Sequence, residues 1–232
     1  MEKKCFQIQG TPAILWGSRS NKVYLYIHGQ DGRKEEAEAF AHIACHYAWQ
    51  VLSIDLPEHG ERKRDTNSFD PWHVVPELLS VMEYIKGQWT HISLFANSIG
   101  AWFSMLSFEN EPLEKSLFVS PILDMNQLIS NMMLWANVSE TELERERSIP
   151  TSSGQTLSWE YLLYARDHPI TKWKVPTAIL YGEHDGLTDR NVVEKFVQRF
   201  NCNLTIMKSG EHWFHTPEQL EVLNSWIKTS LR

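Results

Sequence analysis

Short apolar runs alternate with helical stripes along this chain of 232 residues, and that alternation constrains its fold more than any other feature. Val23-Tyr24-Leu25-Tyr26-Ile27, Gln50 to Asp55, His91 to Phe95, Lys115 to Val119, Thr177 to Tyr181 and Asn203 to Met207 are rich in β-branched and aromatic residues. Runs of this length suit strands buried on both faces of a sheet. Between them, apolar residues recur at helical spacing: Ala37, Phe40, Ala41 and Ala44; then Val74, Leu78, Met82 and Ile85; later Val193, Phe196, Val197 and Phe200. Such alternation predicts an α/β chain, with a mostly parallel central sheet covered by helices on both faces. The beginning differs. Cys5 to Trp16 alternates loosely around Gly10-Thr11-Pro12 and reads as two short antiparallel strands.

The rhythm breaks between Ile122 and Lys174. No strand is predicted there. Met125, Leu128, Ile129, Met132 and Met133 share a helical face, Ser139-Glu140-Thr141-Glu142 fits a capping box, and Trp159 to Ala165 suits a further helix. The segment is too long for a loop inside a compact domain. The chain therefore divides into a first core part (1–121), a small helical insertion (122–174) and a second core part (175–232).

Charge narrows the partners. The formal net charge is −7 and no long basic run occurs, which argues against nucleic acid or an anionic membrane as the main partner. Glu61-Arg62-Lys63-Arg64-Asp65 reads as a solvated surface loop. Cys5, Cys45 and Cys202 are scattered and odd in number, as free thiols of a reducing compartment would be. No apolar stretch follows the charged N-terminal residues and none reaches membrane-spanning length, so the expectation is a cytoplasmic protein. The ten histidines show no metal-ligand spacing, and neither metal nor cofactor is expected.

One turn carries chemistry. The His91–Phe95 run leads into Ala96-Asn97-Ser98-Ile99-Gly100 and then into a helical stretch, Ala101 to Phe108. A serine at a sharp strand-to-helix turn, with small residues two positions away on either side, is exposed at the edge of an α/β sheet. Taken alone, Ser98 fits a helix N-cap as well as a nucleophile. Ligands of open parallel sheets bind beyond the carboxyl ends of the strands. At those ends lie His28-Gly29-Gln30, then Ser98, then Asp185, then His212.

In this order the four motifs, spread over nearly the whole chain, resemble the α/β-hydrolase superfamily with a short cap. Asp55-Leu56-Pro57-Glu58-His59-Gly60 resembles the D-x-P-G-H-G turn of that family, with Glu58 in place of the first glycine, and Ala96 replaces the first glycine of G-x-S-x-G. The resemblance implies a serine hydrolase of the carboxylesterase kind. Ser98 is then the nucleophile, His212 the base and Asp185 the acid that orients it, with the backbone N–H groups of Gln30 and Ile99 as the oxyanion hole. Asp189 and Asp124 remain rival acids, and His215 is the rival base. Trp102, Met133, Trp135, Trp159 and Trp213 are candidate substrate contacts, although packing the insertion onto the core accounts for such residues equally well. The expected partner is a small-molecule ester with a small or medium acyl group; the sequence leaves the oligomeric state open. A thioesterase or serine aminopeptidase would use the same groups, and a non-catalytic ligand-binding protein on the same scaffold is the competing class.

Overall fold

The computed structural model describes residues 1–64, 67–152 and 154–232. Its strands are β1 (Lys3–Ile8), β2 (Thr11–Trp16), β3 (Lys22–Ile27), β4 (Gln50–Ile54), β5 (His91–Asn97), β6 (Ser116–Val119), β7 (Ser148–Pro150), β8 (Thr156–Ser158), β9 (Thr177–Gly182) and β10 (Asn203–Met207). Its α-helices are α1 (Ala37–Ala44), α2 (Pro71–Lys86), α3 (Ile99–Phe108), α4 (Met125–Trp135), α5 (Glu140–Glu146), α6 (Trp159–Asp167), α7 (Arg190–Phe200) and α8 (Pro217–Ser230). The main sheet runs β1-β2-β4-β3-β5-β6-β9-β10. Strand β2 is antiparallel to β1 and β4, and the remaining pairs are parallel.

Period-two burial explains why the strand runs are apolar throughout. Val23, Leu25 and Ile27 of β3 pack in one layer with Val74 and Leu78 of α2 and Phe103 of α3. Tyr24 and Tyr26 point to the opposite layer, where Phe40 of α1 and Trp226 of α8 meet them. Helix starts are set by local chemistry. Asp70 accepts the His73 amide (3.0 Å) with Pro71 next to it, and Thr216 and Gln219 form a complete capping box at α8. No helix among the described residues is long and apolar enough to cross a membrane.

Residues 122–174 leave the sheet after β6 and return to it at β9. Helices α4, α5 and α6 fall where helical spacing places them. The expectation of no strand is corrected: β7 and β8 pair antiparallel, with Ile149 opposite Leu157. Each strand has three residues, too few to carry a period-two signal. Leu157 nonetheless anchors the hairpin in the same core cluster as Trp159 and Leu162.

The charged loop is solvated as expected at Glu61, Lys63 and Arg64, and the exception is Arg62. The loop's last residue, Asp65, lies outside the described residues. Within it, Arg62 is only 5% exposed and forms a two-pronged ion pair with Glu77 of α2. Glu61 contacts the Lys34 ammonium at 2.8 Å. Composition alone cannot separate a solvated charge run from a paired one, and here the partners are far away in sequence.

Lys34 and Asp55 are both buried, at 2% and 0% exposure. Asp55 Oδ2 meets Lys34 Nζ at 2.6 Å, and the carboxylate also accepts the backbone amides of Lys34 (2.8 Å) and Glu61 (3.0 Å). Burial alone would push the ammonium down, but its contacts with Asp55, Glu61 and Glu35 outweigh that and hold it above the usual lysine range. Gly60, with φ of 54°, leaves no room for a side chain: a Cβ there would lie 2.2 Å from the Asp55 carboxylate. Removing one partner of such a buried pair leaves the other charge uncompensated. Asp55→Asn should therefore cost about 3 kcal/mol of stability, read as a lower urea midpoint at unchanged slope. A loss under about 1 kcal/mol, the scale of an exposed ion pair, would contradict this account.

Candidate active site

Ser98 occupies the turn between β5 and α3 with φ 48° and ψ −123°, a region that residues with a Cβ rarely enter. The close approach of neighbouring chain explains the small residues around it. A Cβ on Gly100 would lie 2.5 Å from the His28 carbonyl oxygen, and one on Gly29 would lie 3.1 Å from Ser98 Cβ. Ala96 is fully buried between Ile27 of β3 and Phe118 of β6. Although Ser98 stands at the N-cap position, its side chain makes no capping hydrogen bond. Its Oγ instead lies 2.8 Å from His212 Nε2.

The line continues on the other side of the imidazole. His212 Nδ1 lies 2.8 Å from Asp185 Oδ2. The carboxylate oxygen accepts, so Nδ1 carries the proton and Nε2 is free to accept the serine hydroxyl. The Asp185 side chain is fully buried, and its Oδ1 accepts the amides of Leu187 (2.9 Å) and Thr188 (3.0 Å). Those bonds fix the orientation of the carboxylate. The turns after β9 and β10 pack backbone against backbone: a Cβ on Gly182 would lie 2.4 Å from the Glu211 carbonyl oxygen, and His184 N donates to Gly210 O (2.8 Å). Neither rival acid is bonded to His212. Asp124 caps α4 through the Gln127 amide (2.9 Å), and Asp189 is the exposed residue preceding α7. His215 stacks on the exposed Trp213 ring.

Two buried histidines tie the loop after β3 to the loop after β4. His28 Nε2 accepts the Leu56 amide (3.0 Å), while its Nδ1–H donates to Gly29 O (2.7 Å). Reciprocally, His59 Nε2 accepts the Asp31 amide (2.9 Å), and its Nδ1–H donates to Pro57 O (2.7 Å). Gly32 N donates to Gly29 O at 3.2 Å. These bonds pin the chain on both sides of Gln30. The Ile99 N–H is the first of α3 and has no acceptor within its helix.

Ser98, Ile99 and Gln30 open onto a cavity of about 870 Å³. One wall is apolar and comes from α4 and its approach, with Ile122, Met125, Leu128, Ile129 and Met132. The hairpin contributes Thr156, Leu157 and Ser158. The facing wall comes from the loops around the start of α2: Glu58, Phe69, Asp70 and Trp72. Among the described residues, no group of three or more His, Cys, Asp or Glu side chains is placed to hold a metal ion.

No protein-family model and no curated protein matches this sequence. Solved structures do match. Est1E from Butyrivibrio proteoclasticus, solved with ferulic acid bound, superposes with a TM-score of 0.76 at 19% identity, over 98% of this chain and 97% of its own. Alpha/beta hydrolase domain-containing protein 10 from mouse gives 0.79 at 12% identity, over 100% and 98%. A soluble variant of monoglyceride lipase from Saccharomyces cerevisiae, in complex with a substrate analogue, gives 0.68 at 12% identity, over 99% and 94%. The chain has the α/β-hydrolase fold.

Within this fold the expected substrate contacts are mostly misplaced. Trp135 lines the cavity. Trp102 does not: it is 1% exposed and stacks on Tyr161 inside the core. Met133 and Trp159 are likewise buried in the core cluster, while Trp213 points outward at 74% exposure. Sequence adjacency misleads here, because Trp102 lies about one helical turn beyond Ser98 and rotates into the layer under α3. The walls formed by Glu58, Phe69, Asp70, Trp72 and Tyr161 went unrecognised. Their one sequence signal is Glu58, the departure from the D-x-P-G-H-G turn.

Burial pushes the His28 imidazole down to about 4, whereas an unfolded histidine titrates near about 6.5. Between those values the unfolded chain takes up a proton that the folded chain refuses. The stability owed to neutral His28 is complete above about pH 6.5 and is lost as pH falls through about pH 4, an amount of about 3 kcal/mol. Urea unfolding at about pH 7 and about pH 4 should show the wild type losing more stability than His28→Gln, which cannot titrate. Equal losses would show that His28 does not govern this window.

Proposed function

We propose that this protein is a serine hydrolase that cleaves carboxylic esters through an acyl-enzyme. The observation that carries this reading is the unbroken line from Ser98 through His212 to Asp185, in which the serine forgoes the helix cap for the imidazole. A binding protein has no need of that arrangement. Esterase and lipase neighbours of the same fold support the ester assignment.

The chemistry follows from the geometry. As Ser98 Oγ attacks the ester carbonyl carbon, His212 Nε2 takes its proton. The imidazolium is stabilised by Asp185 through the Nδ1–H bond. The carbonyl oxygen becomes an anion at the mouth of α3, where the Ile99 and Gln30 amides donate to it; one such donor is worth about 3 kcal/mol in the transition state. The carbon–oxygen bond to the alcohol then breaks, and His212 Nε2 returns the proton to the departing oxygen. Water repeats the sequence on the acyl-enzyme: His212 Nε2 takes its proton as the oxygen attacks the acyl carbon, then passes it to Ser98 Oγ as the carbon–Oγ bond breaks, releasing the acid and free Ser98. Residues 122–174 act as the cap that closes the acyl site, with the apolar wall of α4 against the acyl chain.

A fluorophosphonate probe should label the wild type and not Ser98→Ala. On p-nitrophenyl acyl esters, Asp185→Asn should lower kcat by about 10⁴-fold through loss of the correct imidazole tautomer, whereas Asp124→Asn and Asp189→Asn should stay near wild type. Labelling that survives in Ser98→Ala, or an Asp185→Asn enzyme of normal rate, would refute the assignment.

A further inference from the structure

Glu58 is the point at which this chain departs from the turn its sequence otherwise resembles. Its backbone lies at φ 64°, where glycine is unstrained and a residue with a Cβ is not. The side chain that this conformation carries lines the cavity containing Ser98. Glu58 Oε2 accepts the Phe69 amide at 3.1 Å. No lysine, arginine or histidine pairs with Glu58 among the described residues, and His212, which reaches the cavity at Ser98, is paired with Asp185.

Glu58 is exposed at the cavity edge, and the neighbouring Asp70 is taken up by His73. Asp70 lies on the same wall; its carboxylate accepts the His73 amide (3.0 Å) and meets His73 Nδ1 at 2.7 and 2.9 Å. The Tyr161 side chain also lines the cavity, and its hydroxyl is buried without a hydrogen-bond partner. Trp72, Phe69 and Trp135 supply aromatic surface in the same space. A concave site with uncompensated negative charge concentrates cations, and aromatic faces add to the attraction of an ammonium group. A carboxylate or phosphate brought beside Glu58, on the wall away from the Gln30 and Ile99 amides, meets like charge from it.

We propose that Glu58 makes the cavity select a ligand bearing a positively charged ammonium group over its carboxylate counterpart; on the ester reading above, on which the catalytic half of this inference rests, the substrate is an ester bearing such a group. The competing role for Glu58 is to hold the Phe69 amide. Glu58→Gln separates the two, because the glutamine carbonyl can still accept that amide while the charge is gone.

The test measures binding first, so that it does not depend on turnover. Calorimetric titration of the wild type with octyltrimethylammonium and with octanoate should give roughly tenfold or more tighter binding of the ammonium, and Glu58→Gln should reduce that ratio by roughly tenfold. The ammonium should also slow fluorophosphonate labelling of Ser98, which places it in this cavity. Equal affinities, tighter binding of octanoate, no measurable ammonium binding, no protection of Ser98, or a ratio untouched in Glu58→Gln would each overturn the proposal. Matched cationic and neutral acyl esters then give the ratio of kcat/KM, expected to favour the cationic ester and to fall in Glu58→Gln. Selective binding of the ammonium without hydrolysis of either ester would sink the ester reading and leave the Glu58 assignment standing.

Discussion

The buried Asp55 carboxylate is the interaction on which the loops around Ser98 depend. Its oxygens gather the Lys34 ammonium and the amides of Lys34 and Glu61. Its carbonyl accepts Arg62 Nη1 (3.1 Å), and its own amide donates to Pro12 O (3.1 Å). Arg62 carries the connection on to Glu77 of α2. Taking these charges out of water costs several kcal/mol per ion before the attractions repay it, so such a cluster does not by itself explain stability. What it accomplishes is geometric. The loop after β4, the start of α1 and helix α2 are held in one arrangement, and through His59 and His28 so is the loop that carries Gln30. An apolar cluster of equal volume would not specify where each amide points.

Much of the fold was legible because the sheet is buried on both faces. A strand such as β3 must be apolar at every position, and α2 must carry a stripe, so both read directly from sequence. The elements that escaped detection were short or paired over long distances. The β7–β8 hairpin has three-residue strands, and its stability comes from Leu157 in the core, which no local pattern reports. In the charged loop, the exposed Glu61, Lys63 and Arg64 masked the one buried charge, Arg62. Lys34 and Glu77, which pair with Glu61 and Arg62, lie 27 and 15 residues away, the one just before a predicted helix and the other inside one.

The candidate site divides in the same way. Ser98, Asp185 and His212 could be named because each follows a strand and sits in a turn with a glycine that close packing requires. Their meeting is a consequence of sheet order, with β5, β6, β9 and β10 adjacent. Cavity walls have no such rule. They are assembled from residues of the β4–α2 loop, α4 and the hairpin, and a tryptophan next to a site residue in sequence can face away from it, as Trp102 and Trp213 do.

This division separates the determinants of rate from those of preference. The groups proposed to move protons are held by backbone bonds in the turns after β5, β9 and β10, and the apolar wall joins them at one backbone bond, from the Ile122 amide to Ser98 O (3.1 Å). The apolar wall belongs to residues 122–174, whereas the acidic wall belongs to the loops that Asp55 organises. Under the proposed reading, acyl-chain length and charge preference are set by different parts of the chain. Changes in α4 would alter the first without moving Glu58, because Glu58 takes its backbone position from the Asp55 turn and its side-chain anchor from the Phe69 amide. Nothing in α4 contributes to either constraint. The charge of the cavity is thus built into the frame of the fold, and the apolar wall remains the part free to vary.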